Sequence, residues 1–350
     1  MSLKPNNPAS GQSRCMVSIC IPTYNGARYL KACLDSVLSQ TYKDIEILAV
    51  DDGSTDATLE ILERYAANDH RFRLVRNEHN LGLVENWNRC IELARGEWIK
   101  FIFQDDLLAP QCVEEMLTAS TPDTWLTVCR RAFIFEDGTP ETTRRYYEQH
   151  PDPERVFGVG VTYVPPGAVC ENAIDLFGVN FFGEPTATLI RREAFTRHGL
   201  FNPDLAMICD TEYWVRLASH YGFTYLPKTL ASFRVHTGST SAHHFAQRQY
   251  RITLDGVVLM HEYVHNLAFE PVREAMRRRN PPVDLMAMLN KKIAEARWIA
   301  VDAANRTLTP NPNLLREWED LLLSHPSLGR LARTKTNLFQ RLTGIWRRQQ

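Results

Sequence analysis

The sequence lacks an excess of charge of either sign, since 40 lysine and arginine residues balance 41 aspartate and glutamate residues over 350 positions. A protein that binds nucleic acid over much of its surface has a strongly positive net charge, so we expect no nucleic-acid partner. Hydrophobic residues make up 44% of the chain and charged residues 23%. This composition provides a substantial core, and the length allows about two domains or one large α/β domain with additions.

The eight cysteines lack the C-x-x-C spacing that marks zinc and redox sites. Cys33 and Cys90 fall on apolar faces of predicted helices, where a cysteine acts as a small hydrophobic residue. Scattered single cysteines are typical of a reducing compartment. We therefore expect a cytoplasmic protein.

Long apolar runs and the common nucleotide-binding fingerprints are also missing. No uninterrupted apolar run reaches the roughly 20 residues of a transmembrane helix. The polar segment 1–15 has no apolar core of the kind that a signal peptide needs, and it is predicted to be a flexible lead. Neither G-x-x-x-x-G-K-[ST] nor a G-x-G-x-x-G after the first strand occurs. A phosphate group would therefore have to be held through a metal.

From Met16 onward, short β-rich segments alternate with amphipathic helical segments. The first β-rich segment ends at Pro22, and apolar residues then recur at helical spacing: Leu30, Cys33, Leu34, Val37 and Leu38. The pattern repeats through predicted strands at 45–50, 72–77 and 97–103 and the helices between them. This alternation predicts right-handed βαβ units in a doubly wound, mainly parallel α/β sheet flanked by helices.

Three polar clusters follow the first, second and fourth predicted strands: Thr23-Tyr24-Asn25, Asp51-Asp52 and Asp105-Asp106. Because ligands of such sheets bind at the carboxyl ends of the strands, we expect the clusters to meet in one cleft. Plainer roles exist, since Asn-Gly is an ordinary turn and Asp51 and Asp52 could cap a helix that begins near Ser54. The convergence of all three clusters favours a binding site.

The adjacent carboxylates of Asp105 and Asp106 would repel each other without a neutralising charge. Hard divalent cations take oxygen ligands and leave coordination positions for phosphate oxygens and water. We therefore predict a site for Mn²⁺ or Mg²⁺, with a nucleoside diphosphate as the other half of the site.

The motifs P-T-Y-N at 22–25, V-D-D-G-S-T-D at 50–56 and N-L-G at 80–82 resemble the inverting family 2 glycosyltransferases, which have the GT-A fold. The resemblance runs from about Val17 to Ser241. It implies transfer of a sugar from a nucleotide-diphosphate sugar, expected to be a UDP-sugar, to a hydroxyl of a glycan or lipid-linked acceptor. It also implies a role in polysaccharide or cell-surface glycan synthesis.

The resemblance also implies which residues form the site. Metal ligands would be Asp105 and Asp106, and His236 would be a third ligand or a diphosphate contact, although a lone histidine is more often structural. Phe103 stands where many members carry the leading aspartate, which bears on metal affinity and identity. The implied nucleotide-sugar site comprises Pro22, Thr23, Tyr24, Asn25, Asp51, Asp52, Asn80, Gly82, Gln104 and Asp105.

Residues 181–222 resemble the acceptor region of the family. The segment D-T-E-Y-W-V-R-L-A looks like the helix that carries the catalytic base, which would be Asp210. Glu212 is the rival base, and simple helix capping is the plainer role for Asp210. Glu184 and Arg234 are further candidates for acceptor or diphosphate contacts, and Glu184 is equally well explained as a loop carboxylate in water.

The predicted organisation has three parts. A flexible lead covers 1–15, and a catalytic domain covers 16–242, with a nucleotide-sugar half at 16–110 and an acceptor half at 111–242. A helical extension covers 243–350. Its basic amphipathic stretch at 330–350 either contacts an anionic membrane surface, which would place the protein at the inner face of the membrane, or is a docked or frayed helix.

Two other functions fit part of the sequence. A sugar nucleotidyltransferase also uses a doubly wound sheet and a divalent cation, but it carries a Gly-rich loop after the first strand, which I-P-T-Y-N-G-A-R-Y-L is not. A degenerate glycosyltransferase that only binds nucleotide sugar is suggested by Phe103.

Overall fold

The computed structural model describes residues 16–236, 249–305 and 312–332. The chain divides into two compact units, Met1–Ala242 and His243–Gln350.

The described part of the first unit contains one sheet with helices on its faces. Its strands are β1 (Val17–Thr23), β2 (Ile45–Asp51), β3 (Phe72–Arg76), β4 (Trp98–Phe101), β5 (Leu107–Leu108), β6 (Leu126–Phe135), β7 (Tyr163–Val164), β8 (Thr188–Arg191) and β9 (Phe223–Val235). Its helices are α1 (Ala27–Leu38), α2 (Thr58–Asn68), α3 (Leu83–Leu93), α4 (Cys112–Ala119), α5 (Glu141–Glu148), α6 (Pro153–Phe157), α7 (Pro166–Asp175), α8 (Glu193–His198) and α9 (Cys209–Tyr221).

The strand order is β3-β2-β1-β4-β8-β6-β9-β5, and β7 pairs with β9. Strands β1 to β4 are parallel, and β6 runs parallel to β9. Strand β8 is antiparallel to both of its neighbours, β4 and β6. The predicted α/β sheet flanked by helices is confirmed. Its antiparallel pairings involve strands that follow β4 in the chain, for which the apolar spacing predicted no strands.

The core of the N-terminal part of the sheet follows the predicted pattern. Every residue of β1 is buried, as a parallel strand covered on both faces requires. Helix α1 buries Leu30, Cys33, Leu34 and Val37, which are four of the five residues expected on its apolar face. The seven described cysteines are buried.

A buried lysine holds the segment that follows Glu184 in place. Lys100 on β4 is fully buried, and its ammonium group donates to the carbonyl oxygens of Thr186 and, at 3.1 Å, Thr188. These bonds hold the 3₁₀ turn Pro185–Ala187 against the sheet. Glu184 lies directly before this turn, so its position is set by the core.

The second unit is helical over its described residues. It contains α10 (Gln249–His265), α11 (Glu270–Arg278), α12 (Leu285–Asn305) and α13 (Pro312–Ser324). Among the described residues, no helix combines the length and apolarity needed to cross a bilayer. Most of the basic stretch 330–350, and with it the predicted membrane contact, lies outside the described residues.

Candidate active site

The first two polar clusters meet at the ends of β1 and β2, where Thr23 pairs with Asp51. The amide of Asn25 donates to the Ser54 hydroxyl at 2.9 Å, and the Asn25 side-chain oxygen accepts from the Thr55 amide at 2.8 Å. Asn25 has a φ of 48°, a left-handed conformation that asparagine tolerates better than most residues. The T-Y-N turn is therefore hydrogen-bonded to the loop that carries the second cluster.

Asp51 and Asp52 do not cap α2, whose first residue is Thr58. Asp51 is fully buried, and its carboxylate accepts from the Ser54 amide at 3.1 Å. Asp52 accepts from the amides of Leu81 and Gly82, each at 2.9 Å. The second cluster thus positions the N-L-G turn, in which Asn80 is exposed.

The third cluster reaches the first through Gln104. Its side-chain oxygen accepts from the Tyr24 amide at 2.9 Å, and its side-chain nitrogen donates to the Tyr24 carbonyl at 3.1 Å. This pairing holds Tyr24, whose side chain is 47% exposed, at the rim of the cleft. Pro22 lies buried at the end of β1, one residue before Thr23.

Gly26 leaves the space that the Gln104 side chain occupies. A Cβ added at Gly26 would lie 2.1 Å from the Gln104 side-chain oxygen. We expect Gly26→Ala to displace Gln104 and release Tyr24, with a small change in stability because the displaced atom ends a flexible side chain. Nucleotide affinity should fall, as titration calorimetry would measure, whereas Gly167→Ala, which meets no atom within 4 Å, should leave it unchanged. Equal affinities in the two variants would contradict the role given to Gln104.

Asp105 and His236 come together although 131 positions separate them. The Asp105 carboxylate lies 2.9 Å from Nε2 of His236, and the His236 ring packs on Tyr29 at 4.8 Å between centroids. Arg234 donates to the Asp105 carbonyl at 2.8 Å and stacks over the same tyrosine at 4.7 Å. A carboxylate, an imidazole and a guanidinium therefore share one corner of the site.

Asp106 differs from Asp105 in its surroundings. It is fully buried, and it accepts hydrogen bonds from the Thr186 hydroxyl and, at 2.9 Å, the Arg234 amide. Burial and the Asp105 charge raise the pKa of Asp106 well above its ordinary value. The predicted metal-ligand role of Asp106 gains no support from this geometry, because its carboxylate ties the turn after Glu184 to β9.

Asp105 and His236 suit a divalent cation only if oxygen atoms of the substrate complete its coordination. No cluster of three or more His, Cys, Asp or Glu side chains suited to a metal forms within residues 16–236, 249–305 and 312–332. Asp105 and His236 provide two donors, and Mg²⁺ and Mn²⁺ commonly bind through one or two side chains together with substrate phosphates. Phe103 provides none, because a phenyl ring has no ligand atom for such a cation; it stacks on Trp87 at 4.8 Å between ring centroids.

Asp210 occupies the first turn of α9 without capping it, since no side chain caps that helix. Its carboxylate accepts from the Asn180 side-chain amide at 2.8 Å and from the Thr211 amide at 2.6 Å. Trp214, Leu217 and Ala218 are fully buried, as predicted for the core face of this helix. The buried face of α9 thus fixes the position of Asp210, and the Asn180 side chain orients one oxygen of its carboxylate.

The electrostatic surroundings suit Asp210 to proton transfer. Burial, and then the charge of Glu184, raises the pKa of Asp210 to about 7. Glu184 forms an ion pair with Arg131, and the Arg131 charge acts on Asp210 in the opposite direction. Glu184 raises the pKa of Asp106 as well. Its charge therefore acts on both carboxylates, Asp106 and Asp210. A base poised near the working pH is the arrangement that general-base catalysis favours.

Replacing Glu184 should move the pH dependence of turnover. Because only the ionised Asp210 accepts a proton, the wild-type rate should rise with pH through about 7. Glu184→Gln removes a charge that raises this pKa and leaves Arg131, which lowers it, so the acid limb of kcat/KM should move to lower pH. Glu193→Gln, on the exposed α8 ion pair with Arg197, is the matched control. An unmoved limb in Glu184→Gln would exclude this coupling.

Glu212, the rival base, is placed elsewhere. It is 1% exposed and pairs with Arg216 at 2.8 Å, and Arg216 also donates to the Leu200 carbonyl at 2.8 Å. A buried carboxylate held in this way fixes the loop before α9. Its position gives it a structural role and leaves Asp210 as the candidate base.

Comparison with known proteins decides the family. The model of glycosyl transferase family 2 matches residues 18–199, which is more than half of the chain. The chain belongs to glycosyltransferase family 2. An uncharacterized protein of Mycobacterium tuberculosis is 32% identical over 67% of this chain and 70% of its own length. Glycosyltransferase GlyG of Streptococcus pneumoniae is 37% identical over 29% of this chain and 34% of its own length. The family membership favours glycosyl transfer over nucleotidyl transfer.

Solved structures show the same GT-A fold. Residues 1–349 of S. aureus TarS in complex with UDP-GlcNAc superimpose with a TM-score of 0.56 and 17% identity, over 88% of this chain and 79% of that one. The mannosyltransferase PcManGT of Pyrobaculum calidifontis, in complex with GDP-Man and Mn²⁺, gives a TM-score of 0.52 and 18% identity, over 94% and 90% of the two chains. The predicted fold class is confirmed.

Several residues of the site carry no signal that sequence reasoning could use. Arg131 lies within β6, and Asn180 lies in a loop with no motif of its own. Both act on Asp210 through contacts between segments that are far apart in the sequence. Tyr29 and Glu136, joined by a 2.7 Å hydrogen bond, belong to the same class.

Proposed function

We propose that this glycosyltransferase inverts the anomeric configuration by a single displacement with Asp210 as general base. The acceptor oxygen attacks the anomeric carbon, the bond from that carbon to the diphosphate oxygen breaks, and the acceptor proton passes to Asp210. The raised pKa of Asp210, together with its fixed orientation by Asn180, supports this role. General-base catalysis of this kind contributes about 10²–10⁴-fold to the rate.

Asp105 and His236 are proposed as the residues that hold a divalent cation, Mn²⁺ or Mg²⁺. Bound there, the cation would offset negative charge on the departing nucleoside diphosphate. Arg234 donates to the Asp105 backbone and keeps its guanidinium at the same corner, which suits it to a diphosphate contact. The Mn²⁺ in the PcManGT complex is consistent with this proposal.

The nucleotide is proposed to lie across the joined loops, from Tyr24 and Asp51 to the N-L-G turn. Tyr24 is exposed at the rim, where its ring can stack on a base. We favour a UDP-sugar, because TarS is solved with UDP-GlcNAc and with UDP. The GDP-Man complex of PcManGT makes GDP-sugars the necessary comparison.

A glycan or lipid-linked acceptor in polysaccharide or cell-surface glycan synthesis fits the named relatives, which include chondroitin synthase of Escherichia coli, 42% identical over 28% of this chain and 14% of its own length. A protein with this role would work in the cytoplasm, where a contact of residues 330–350 with the inner face of the membrane would bring it to lipid-linked acceptors. Co-sedimentation with anionic vesicles, compared with a chain ending at Pro326, tests that contact, and equal partitioning would exclude it.

The observation that carries the proposed function is that the T-Y-N turn is hydrogen-bonded to Asp51 and to Gln104, the residue before Asp105, at one edge of the sheet. Thermal shift against UDP, GDP, UDP-GlcNAc and GDP-Man, with and without Mn²⁺, tests it. A ligand that binds only the folded protein stabilises it by about 2.7 kcal/mol at 100 times its Kd. We expect a metal-dependent shift with one nucleotide, and no shift with any would contradict the proposal.

A further inference from the structure

The ring of Tyr29 lies under two guanidinium groups next to the proposed cation site. The guanidinium carbon of Arg234 is 4.7 Å from the ring centroid, and that of Arg28 is 4.9 Å from it. The His236 ring packs on the same tyrosine, and its Nε2 lies 2.9 Å from the Asp105 carboxylate. Arg28 therefore belongs to the same corner of the site as Arg234.

The place of Arg28 in the chain brings it close to the proposed nucleotide site as well. Helix α1 begins at Ala27, two residues after the T-Y-N turn, and Arg28 is its second residue. Its side chain is 69% exposed. Arg28 is thus close in sequence to the turn proposed for the nucleotide and close in space to the corner proposed for the cation. The diphosphate of a sugar donor has to join these two places.

A carboxylate of this chain holds Arg28. Arg28 forms an ion pair with Glu136, and Oε1 of Glu136 accepts from both Arg28 and the Tyr29 hydroxyl, the latter at 2.7 Å. The hydrogen bond from Tyr29, and then the charges of Arg28 and Arg234, lower the pKa of Glu136. Glu136 is therefore ionised at neutral pH, and its charge acts on both guanidinium groups.

A diphosphate is a stronger partner for Arg28 than Glu136 is. An ion pair with an exposed arginine contributes little to stability, so Arg28 leaves Glu136 at little cost. A guanidinium forms paired hydrogen bonds with phosphate oxygens as it does with a carboxylate, and a diphosphate carries more negative charge than one carboxylate. Because the Tyr29 ring attracts the guanidinium by a cation–π contact, Arg28 stays at the corner when its hydrogen bonds change partner.

We propose that Arg28 binds the β-phosphate of the sugar donor, and that Glu136 holds Arg28 in place until the donor displaces it. The proposal rests on the proposed glycosyltransferase function and adds a residue to its donor site. Tyr29 supports both Arg28 and Arg234, so two guanidinium groups meet the diphosphate beside the cation. The exchange replaces one set of hydrogen bonds with another and changes no covalent bond.

Calorimetry with nucleoside diphosphates and monophosphates tests this assignment on the full chain, because only the diphosphates carry a β-phosphate. UDP is compared with UMP, and GDP with GMP, all with Mn²⁺. We expect Arg28→Gln to weaken the diphosphate that the wild type binds about five- to tenfold and to leave its monophosphate within about twofold. Lys31→Gln removes another exposed cation of α1, paired with Asp35 at 2.8 Å, and should change neither affinity.

Glu136→Gln tests the exchange in the opposite direction. The amide oxygen still accepts from Tyr29 and Arg28, but the charge that competes with the phosphate is removed. The diphosphate should therefore bind about two- to fivefold more tightly than in the wild type, and adding Arg28→Gln should abolish this gain. Equal or weaker binding in Glu136→Gln would show that the pair with Arg28 is a structural contact, and would overturn the proposal.

The wild-type titrations separate this proposal from the proposed function. If the wild type binds UDP or GDP and Arg28→Gln binds it equally well, the Arg28 proposal is wrong and the proposed function stands. The same holds if Arg28→Gln and Lys31→Gln weaken the diphosphate equally, or if Arg28→Gln weakens the monophosphate as much as the diphosphate. If neither UDP nor GDP binds the wild type, the proposed function fails whatever the variants show.

Discussion

Asp210→Asn should reduce glycosyl transfer about 10²–10⁴-fold while nucleotide-sugar binding survives. Asparagine keeps the size of the side chain, and its one oxygen can accept from either the Asn180 or the Thr211 donor, but it cannot accept the acceptor proton. The measurement is kcat with the donor and acceptor that the binding experiments identify, together with donor Kd by calorimetry. Near wild-type turnover would move the base elsewhere.

Stability provides an independent control for the same variant. The raised pKa of Asp210 means that the ionised carboxylate is less favourable in the folded chain than in the unfolded one. Between pH 4 and about 7 the folded state therefore binds more protons, and this group lowers stability as pH rises through that window. Asp210→Asn removes this cost and loses one accepted hydrogen bond, so it should unfold at about the same temperature as wild type at pH 8. A lower temperature would show that lost activity reflects damage to the fold.

Asp105→Asn and Asp106→Asn should separate metal binding from structural support. Asp105 shares its corner with His236, so Asp105→Asn should abolish the Mn²⁺-dependent part of the nucleotide thermal shift and lower kcat about 100-fold or more, because the departing diphosphate loses its counter-charge. The melting temperature without ligands should change little, since Asp105 is partly exposed.

Asp106→Asn is the matched control one position away. Its buried carboxylate holds Thr186 and the Arg234 amide, so the substitution should lower the melting temperature without ligands and leave the Mn²⁺ dependence of the remaining shift in place. The reverse pattern, with metal dependence lost only in Asp106→Asn, would show that Asp106, predicted from the sequence as a ligand together with Asp105, is the one that binds the metal. EDTA should reduce wild-type shifts to the level of Asp105→Asn.

The sequence was sufficient to predict the nucleotide-side half of the fold because its signals are local. Apolar spacing predicted α1, and continuous apolar runs predicted β1 and β2. The rule that ligands bind at strand ends predicted that the clusters 23–25, 51–52 and 105–106 would lie in neighbouring loops. Thr23 donates to Asp51, and Tyr24 bonds to Gln104, the residue before Asp105.

The acceptor half was less predictable because contacts distant in sequence decide it. The identity of adjacent carboxylates does not reveal that Asp105 faces His236 while Asp106 is buried against Thr186. Glu212 and Asp210 lie in the same turn of α9. Their sequence positions do not show that Glu212 is buried in an ion pair with Arg216. The segment 137–166 has no strong periodicity, so the helices α5 and α6 within it were not predicted.

The anomeric configuration of the product, measured by NMR coupling constants on the transferred sugar, tests the central claim most directly. A single displacement assisted by Asp210 predicts a product whose configuration is opposite to that of the nucleotide sugar. A product with the donor's configuration would contradict the account, because retention requires a second displacement or a front-face path in which Asp210 is not the base described here.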